Sequence, residues 1–222
     1  MDAHEAVTRE AIVEACRAME RSGLNRGTSG NVSVRFGDGL LVTPSGIPAA
    51  RMGPDDVVRL AMDGSWAGRH RPSSEWRFHR DILASRPEFG AVVHAHPPHA
   101  TAVAITRQAL PAVHYMIAAA GGPSVRCAAY ATFGTEALSR NALAALEGRA
   151  ACLLANHGLI ACGPALEKAL WLAHEIEALA EQFILARLAG SPVVLPDEEI
   201  AKTVERFRSY GPSTPSDDDS RG

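Results

Sequence analysis

Lysine is nearly absent from this chain of 222 residues, which contains only Lys168 and Lys202. Both fall in helix-patterned stretches beside charged neighbours such as Glu167 and Glu205, which disfavours a desolvated amine ready to form a Schiff base. Cysteine is sparse and scattered: Cys16, Cys127, Cys152 and Cys162 form no CxxC pair. That spacing suggests neither a disulfide framework nor a cysteine zinc site and fits a reducing cytoplasm. An excess of positive charge is missing too. The formal charge of -3 and pI near 6.3 leave no broad basic field for nucleic acid or an acidic membrane. No uninterrupted apolar run reaches the ~18 residues that span a bilayer, and the opening MDAHEAVTRE lacks the basic and apolar regions of a secretory leader. P-loop and dinucleotide fingerprints are absent as well. A small neutral or anionic metabolite is left as the expected partner.

Hydrophobic residues make up 46% of the chain, enough for one sizeable core, and residues 1–210 read as a single domain. Residues 211–222, GPSTPSDDDSRG, hold too little apolar material to repay the entropy of ordering and are expected to form a disordered tail. Apolar spacing predicts helices over 6–19, 73–86, 98–106, 135–146, 165–188 and 197–210. Strands are expected over 32–36 and 40–43, which flank Gly37-Asp38-Gly39 as a hairpin, and over 57–61, 91–96, 125–130, 151–155 and 159–162. Alternation of strands and helices is too irregular for a doubly wound fold. The expectation is an α/β protein with three α/β/α layers about a central sheet.

His94 and His96 are two apart in a predicted strand, so both imidazoles face one side while Ala95 faces the other. His157, just before Gly158 and after another strand, is a candidate third ligand, and three histidines with an open position make a catalytic zinc pattern. Spacing alone does not select His157 over His79, His99, His114 or His174. An HxH pair is also compatible with two histidines on a polar face. Ser73, Ser74 and Glu75 fall at the start of a predicted helix, where free N–H groups and the dipole favour an anion. An ordinary capped first turn reads the same way. Two loops, 27–31 (GTSGN) and 43–46 (TPSG), supply hydroxyls and flexible N–H groups suited to a phosphate, although each by itself could be only a turn.

The ordered stretches GLNRGTSGNVSVRF, LVTPSGIP, PSSEWRFH, VVHAHPPHATAVA, PAVHYMIAAAGG, YATFGT and NHGLIACG together resemble the class II aldolase/adducin family. The resemblance runs over residues 23–210 and implies a central, mostly antiparallel sheet and one Zn²⁺ per subunit. It implies metal ligation by His94, His96 and His157, with Glu75 as an acid/base that can also ligate the resting zinc. The phosphate pocket falls on Thr28, Asn31, Ser45, Gly46, Ser73 and Ser74. Tyr115 would be a catalytic tyrosine lent by a neighbouring subunit, with Phe133 and Tyr210 closing the aldehyde side. The family's cyclic homotetramer is expected, with sites at subunit boundaries.

The activity so implied is cleavage of a ketose 1-phosphate, of the L-fuculose 1-phosphate type, to dihydroxyacetone phosphate and a small aldehyde such as L-lactaldehyde. Two close alternatives are cleavage of 5-deoxyribulose or 5-(methylthio)ribulose 1-phosphate and epimerisation of ribulose 5-phosphate. The family's epimerases carry aspartate at the position of Glu75, which favours cleavage. A non-catalytic adducin-like module is the alternative of another class, opposed by retention of all four ligands. The chain departs from the family pattern at Ser45 (threonine expected), at Asn156 (histidine expected) and in a shortened stretch at 189–192. These departures touch the edges of the site; the shortened stretch and the tail bracket the segment bearing Tyr210 and so bear on the aldehyde half.

Overall fold

The structure, a computed structural model, describes residues 2–208. Helix α1 (Ala3–Arg21) begins where the Asp2 carboxylate accepts the Glu5 N–H at 2.7 Å, and it buries Ile12, Val13, Ala15 and Met19 along one face. Strands β1 (Asn31–Phe36) and β2 (Gly39–Val42) form the expected hairpin. Strand β3 (Val58–Ala61) follows, then the short β4 (Trp66–Ala67). Next come helix α2 (Trp76–Ser85), strand β5 (Ala91–Ala95) and helix α3 (Pro98–Ile105). The chain continues through β6 (Leu110–Pro111), a 3-10 stretch (Tyr115–Ala120), β7 (Ser124–Ala128) and α4 (Glu136–Ala145). Strands β8 (Ala151–Leu154) and β9 (Gly158–Gly163) and helices α5 (Leu166–Ala189) and α6 (Asp197–Arg208) complete it.

Among the described residues the strands form one sheet in the order β4-β3-β2-β1-β5-β9-β8-β7-β6. Every neighbouring pair is antiparallel except β7 and β8, which α4 joins as a parallel crossover. Each face of the sheet carries its own apolar core. On one side Val32, Leu41, Ala91, Val93, Ala95 and Leu159 pack with residues of α1, α3, α5 and α6. On the other, Leu40, Val42, Val92, Ile160 and Cys162 pack with α2 and α4. The expected α/β/α layering and mostly antiparallel sheet are thus present, because alternate residues of the central strands are apolar on both sides.

Several boundaries differ from the sequence expectation. Helix α2 starts at Trp76 instead of residue 73. The Ser73 N–H donates to the Thr43 carbonyl at 2.9 Å and Pro44 bridges Pro72, so residues 72–75 are tied to the end of β2 before a helix can begin. The strand expected over 125–130 ends at Ala128. Two-residue strands such as β4 and β6 carry no readable period, and sequence pattern missed them. No helix among the described residues is long and apolar enough to cross a membrane.

Candidate metal centre

His94 lies on β5 with its side chain toward α2, against the edge of the Phe78 ring, and it is wholly buried. Its Nδ1 is 2.8 Å from the Leu159 carbonyl on β9. A carbonyl only accepts, so Nδ1 carries a proton and Nε2 is the ring atom turned toward the cluster. His96 follows the strand end and is anchored by its backbone N–H, which donates to Asn25 Oδ1 at 3.0 Å. His157 comes from the β8–β9 connection, where Asn156 takes a left-handed φ of 53° and the Asn156 N–H donates to the Ala104 carbonyl at 3.1 Å. Gly158 permits this approach: a Cβ there would lie 2.4 Å from the Ala95 carbonyl oxygen and 2.8 Å from His96 Cδ2.

Glu75 enters from the loop before α2. Its Oε2 is 3.1 Å from His94 Nε2 and accepts a hydrogen bond from Asn31 Nδ2 at 3.0 Å. Its Oε1 is 3.3 Å from His157 Nε2, yet it is buried and finds no aligned hydrogen-bond donor. One ligand atom from each of Glu75, His94, His96 and His157 falls within 4.8 Å of the others.

This set fits a divalent metal. The His94 and His96 Nε2 atoms face each other at 2.8 Å, and two bare nitrogens at that distance repel unless a proton or cation lies between them. The orphaned Glu75 oxygen points to the same need. Burial, helped by the charge of His94 and His157, pushes the His96 imidazole down to about 3, and burial with the charge of His94 pushes His157 down to about 4. Both rings are therefore neutral near pH 7, with lone pairs free to ligate. Burial raises the Glu75 carboxyl, but the charge and hydrogen bond of His94, with His157 and Asn31, outweigh it and hold the group well below the usual carboxylate range.

Glu75, His96 and His157 line a cleft of about 440 Å³ whose walls include Thr28, Asn31, Ser45, Gly46, Ser73 and Ser74. All three loops singled out in the sequence converge there. Phe133 stands at the rim with Tyr130, and both are more than half exposed. Asn156 lines the same cleft, while Arg107 Nε donates to its Oδ1 at 2.8 Å. Tyr115 does not line this cleft. It is half exposed in a separate groove with Met116, Trp171 and Phe207. Tyr210 lies outside the described residues, as does the expected tail.

The other histidines stay out of the cluster. His99 pairs with Glu177 at 2.8 Å, His114 accepts the Met116 N–H at 3.2 Å, and His174 is half-buried on α5. His79 is buried against Asn31 and Ser33. Sequence reasoning missed this last arrangement. Its signal, a polar Asn31 and Ser33 alternating with the apolar Val32 and Val34 along β1, becomes readable only once Asn31 is known to pair with His94 across β1 and β5.

Residues 10–184 match the Class II Aldolase and Adducin N-terminal domain family. The chain is 53% identical over 203 residues to a 5-methylthioribulose-1-phosphate/5-deoxyribulose-1-phosphate aldolase of Rhodospirillum rubrum, covering 91% of this chain and 92% of the relative. It is also 53% identical over 201 residues to an L-fuculose phosphate aldolase of Escherichia coli K12, covering 90% and 94% respectively. A solved L-fuculose 1-phosphate aldolase superposes with a TM-score of 0.88 at 40% identity, covering 90% of this chain and 95% of that one. Together with the Glu75 and three-histidine cluster, these likenesses mean that the chain belongs to the class II aldolase and adducin N-terminal domain family, among its metal-dependent aldolases.

Proposed function

We propose that the protein is a zinc enzyme that reversibly cleaves a ketose 1-phosphate of the L-fuculose 1-phosphate type, giving dihydroxyacetone phosphate and a small aldehyde such as L-lactaldehyde. The observation that carries this reading is the cluster of Glu75, His94, His96 and His157 beside a cleft walled by three hydroxyl- and glycine-bearing loops. Three imidazole nitrogens and a displaceable carboxylate suit zinc in number and in ligand type. The bound ion supplies Lewis-acid charge where negative charge develops as the carbon–carbon bond breaks.

The protein's own groups do the rest. Thr28, Asn31, Ser45, Gly46, Ser73 and Ser74 hold the phosphate, and their spread over three loops fixes which carbon faces Glu75. In cleavage the hydroxyl on the aldehyde-forming carbon gives up its proton, the bond to the neighbouring carbon breaks, and its electron pair stays with the dihydroxyacetone half. Glu75, in its protonated form, delivers a proton to that carbon; in synthesis the Glu75 carboxylate removes it. Tyr115 of a neighbouring copy handles the proton of the aldehyde oxygen. Its position in a separate groove of its own chain supports a donor role between subunits of a homotetramer, with each site completed at a subunit boundary.

A second reading shares all of this machinery. The Rhodospirillum relative is equally similar, and the apolar rim of Tyr130, Ala131 and Phe133 suits a methyl or methylthio end. Cleavage of 5-deoxyribulose and 5-(methylthio)ribulose 1-phosphates therefore belongs in the same assay. The test supplies each ketose 1-phosphate in parallel to zinc-loaded protein and couples dihydroxyacetone phosphate to NADH oxidation. Release from any of the three supports the reaction, and the ranking identifies the aldehyde half. Protein that binds zinc but cleaves none of them loses the aldolase assignment, and ribulose 5-phosphate epimerisation is then measured. Purified protein that binds no metal points to a non-catalytic, adducin-like module.

A further inference from the structure

A chain of buried polar side chains runs from the centre of the α2 face to Glu75. Alternation on β1 turns Asn31 and Ser33 toward α2, the side on which His94 also lies. His79 sits one helical turn beyond Glu75 and is wholly buried between them. Ser33 Oγ is 2.7 Å from His79 Nδ1, His79 Nε2 is 2.5 Å from Asn31 Oδ1, and Asn31 Nδ2 is 3.0 Å from Glu75 Oε2.

The chemistry of these groups fixes every direction in the chain. An ionised carboxylate only accepts, so Asn31 turns its amide nitrogen to Glu75 and its oxygen to His79. That oxygen also only accepts, so the proton is on His79 Nε2. The neutral ring then leaves Nδ1 bare to accept the Ser33 hydroxyl. His79 is wholly buried and stacks on the Phe78 ring, where an apolar side chain would pack without desolvation. The hydrogen-bonded chain starts at the buried Ser33 hydroxyl. Its open end is the Glu75 carboxylate.

We propose that His79 is a positioning residue for Glu75: its Nε2–H holds the Asn31 amide in the one orientation that donates to the carboxylate. This inference rests on the acid/base role assigned to Glu75 above. Without His79 the Asn31 oxygen loses its donor, and the amide is no longer held at the distance and angle that donate to the carboxylate. Proton transfer is sensitive to such misplacement, whereas phosphate binding retains Thr28, Ser45, Ser73 and Ser74.

The experiment compares zinc-loaded wild type with His79→Phe, His79→Gln, Asn31→Ala and the Asn31→Ala/His79→Phe double variant. It reads metal content, kcat and KM. His79→Phe is expected to keep its zinc and to lower kcat by about 10- to 100-fold, the loss of one hydrogen bond to a charged group, with KM changed by less than about threefold. Glutamine, with an amide N–H to offer Asn31 and a carbonyl to accept from Ser33, should restore most of kcat. In the Asn31→Ala background, His79→Phe should cost little more. Wild-type kcat in His79→Phe, no rescue by glutamine, or additive losses in the double variant would each overturn the proposal. ¹⁵N spectra of the ring nitrogens provide a readout without substrate: His79 should be neutral with the proton on Nε2, and the opposite tautomer refutes the lock. If wild type holds zinc but cleaves no ketose 1-phosphate, the aldolase reading fails instead, and the tautomer spectrum still decides for or against the lock.

Discussion

Replacing Gly158 by alanine tests whether close approach of the β8–β9 turn to β5 is what assembles the metal centre. The added Cβ would meet the Ala95 carbonyl oxygen at 2.4 Å and His96 Cδ2 at 2.8 Å. Comfortable contacts lie near 3.5 Å, so the turn must retreat by roughly 1 Å. The backbone oxygen cannot swing aside, because Ala95 is paired with Leu159 in the sheet. Overpacking of this kind costs about 1–3 kcal/mol, and in a domain of this size each kcal/mol lowers Tm by roughly 2–4 °C. The same retreat moves His157 away from His94 and His96, and disturbing ligand placement typically lowers metal affinity by about 10- to 100-fold. Zinc affinity would be measured by competition with a chromophoric chelator, and Tm by circular dichroism with metal removed, which separates the two effects. Gly190→Ala is the control, since nothing lies within 4 Å of a Cβ there. Wild-type zinc affinity and an unchanged metal-free Tm in Gly158→Ala would refute the argument.

Glu75→Gln should retain zinc on the three histidines yet abolish exchange of the dihydroxyacetone phosphate proton with solvent; undiminished exchange removes Glu75 from its assigned role. Tyr115→Phe and Glu75→Gln should each be nearly inactive alone, whereas subunits mixed by mild denaturation and refolding should regain activity, because some sites then pair an intact Glu75 with a neighbour's intact Tyr115. A mixture as inactive as its parents would argue against a shared site. With metal chelated, stability should fall as pH drops. Burial pushes His79 from 6.5 to about 3, and burial likewise takes His96 to about 3 and His157 to about 4, while the unfolded chain binds protons near 6.5. From that value down to about 4 the unfolded state therefore holds more protons, so stability declines across this window and is flat above it. Urea midpoints that do not move between pH 7.5 and pH 5 would contradict neutral burial of these rings.

Much of the fold was legible because its elements are periodic. The pattern of α1 and of α5, the turn between β1 and β2, and the apolar runs of β5, β8 and β9 each announce themselves locally. Boundaries set by distant contacts were not legible: the start of α2 is delayed by the tie between Ser73 and Thr43, which no local pattern encodes. Within the site, the period of two was enough to turn His94 and His96 to the same side. His157 could not be told from His79 or His99 by spacing, and the family resemblance selected it.

The sequence by itself determined the chemical inventory and its local directions: paired histidines on one strand face, hydroxyl-rich loops, a carboxylate before a helix, and almost no lysine. Only the tertiary structure decided which of these groups meet. Convergence of Glu75, His94, His96 and His157 depends on the register of β5 with β9 and on the turn packed against Ala95. The tautomer of His79 depends on the pairing of Asn31 with His94. Metal coordination and hydrogen bonding act over about 2–3 Å, a distance fixed by strand pairing and packing between segments far apart in the chain, and local sequence pattern carries no information about it.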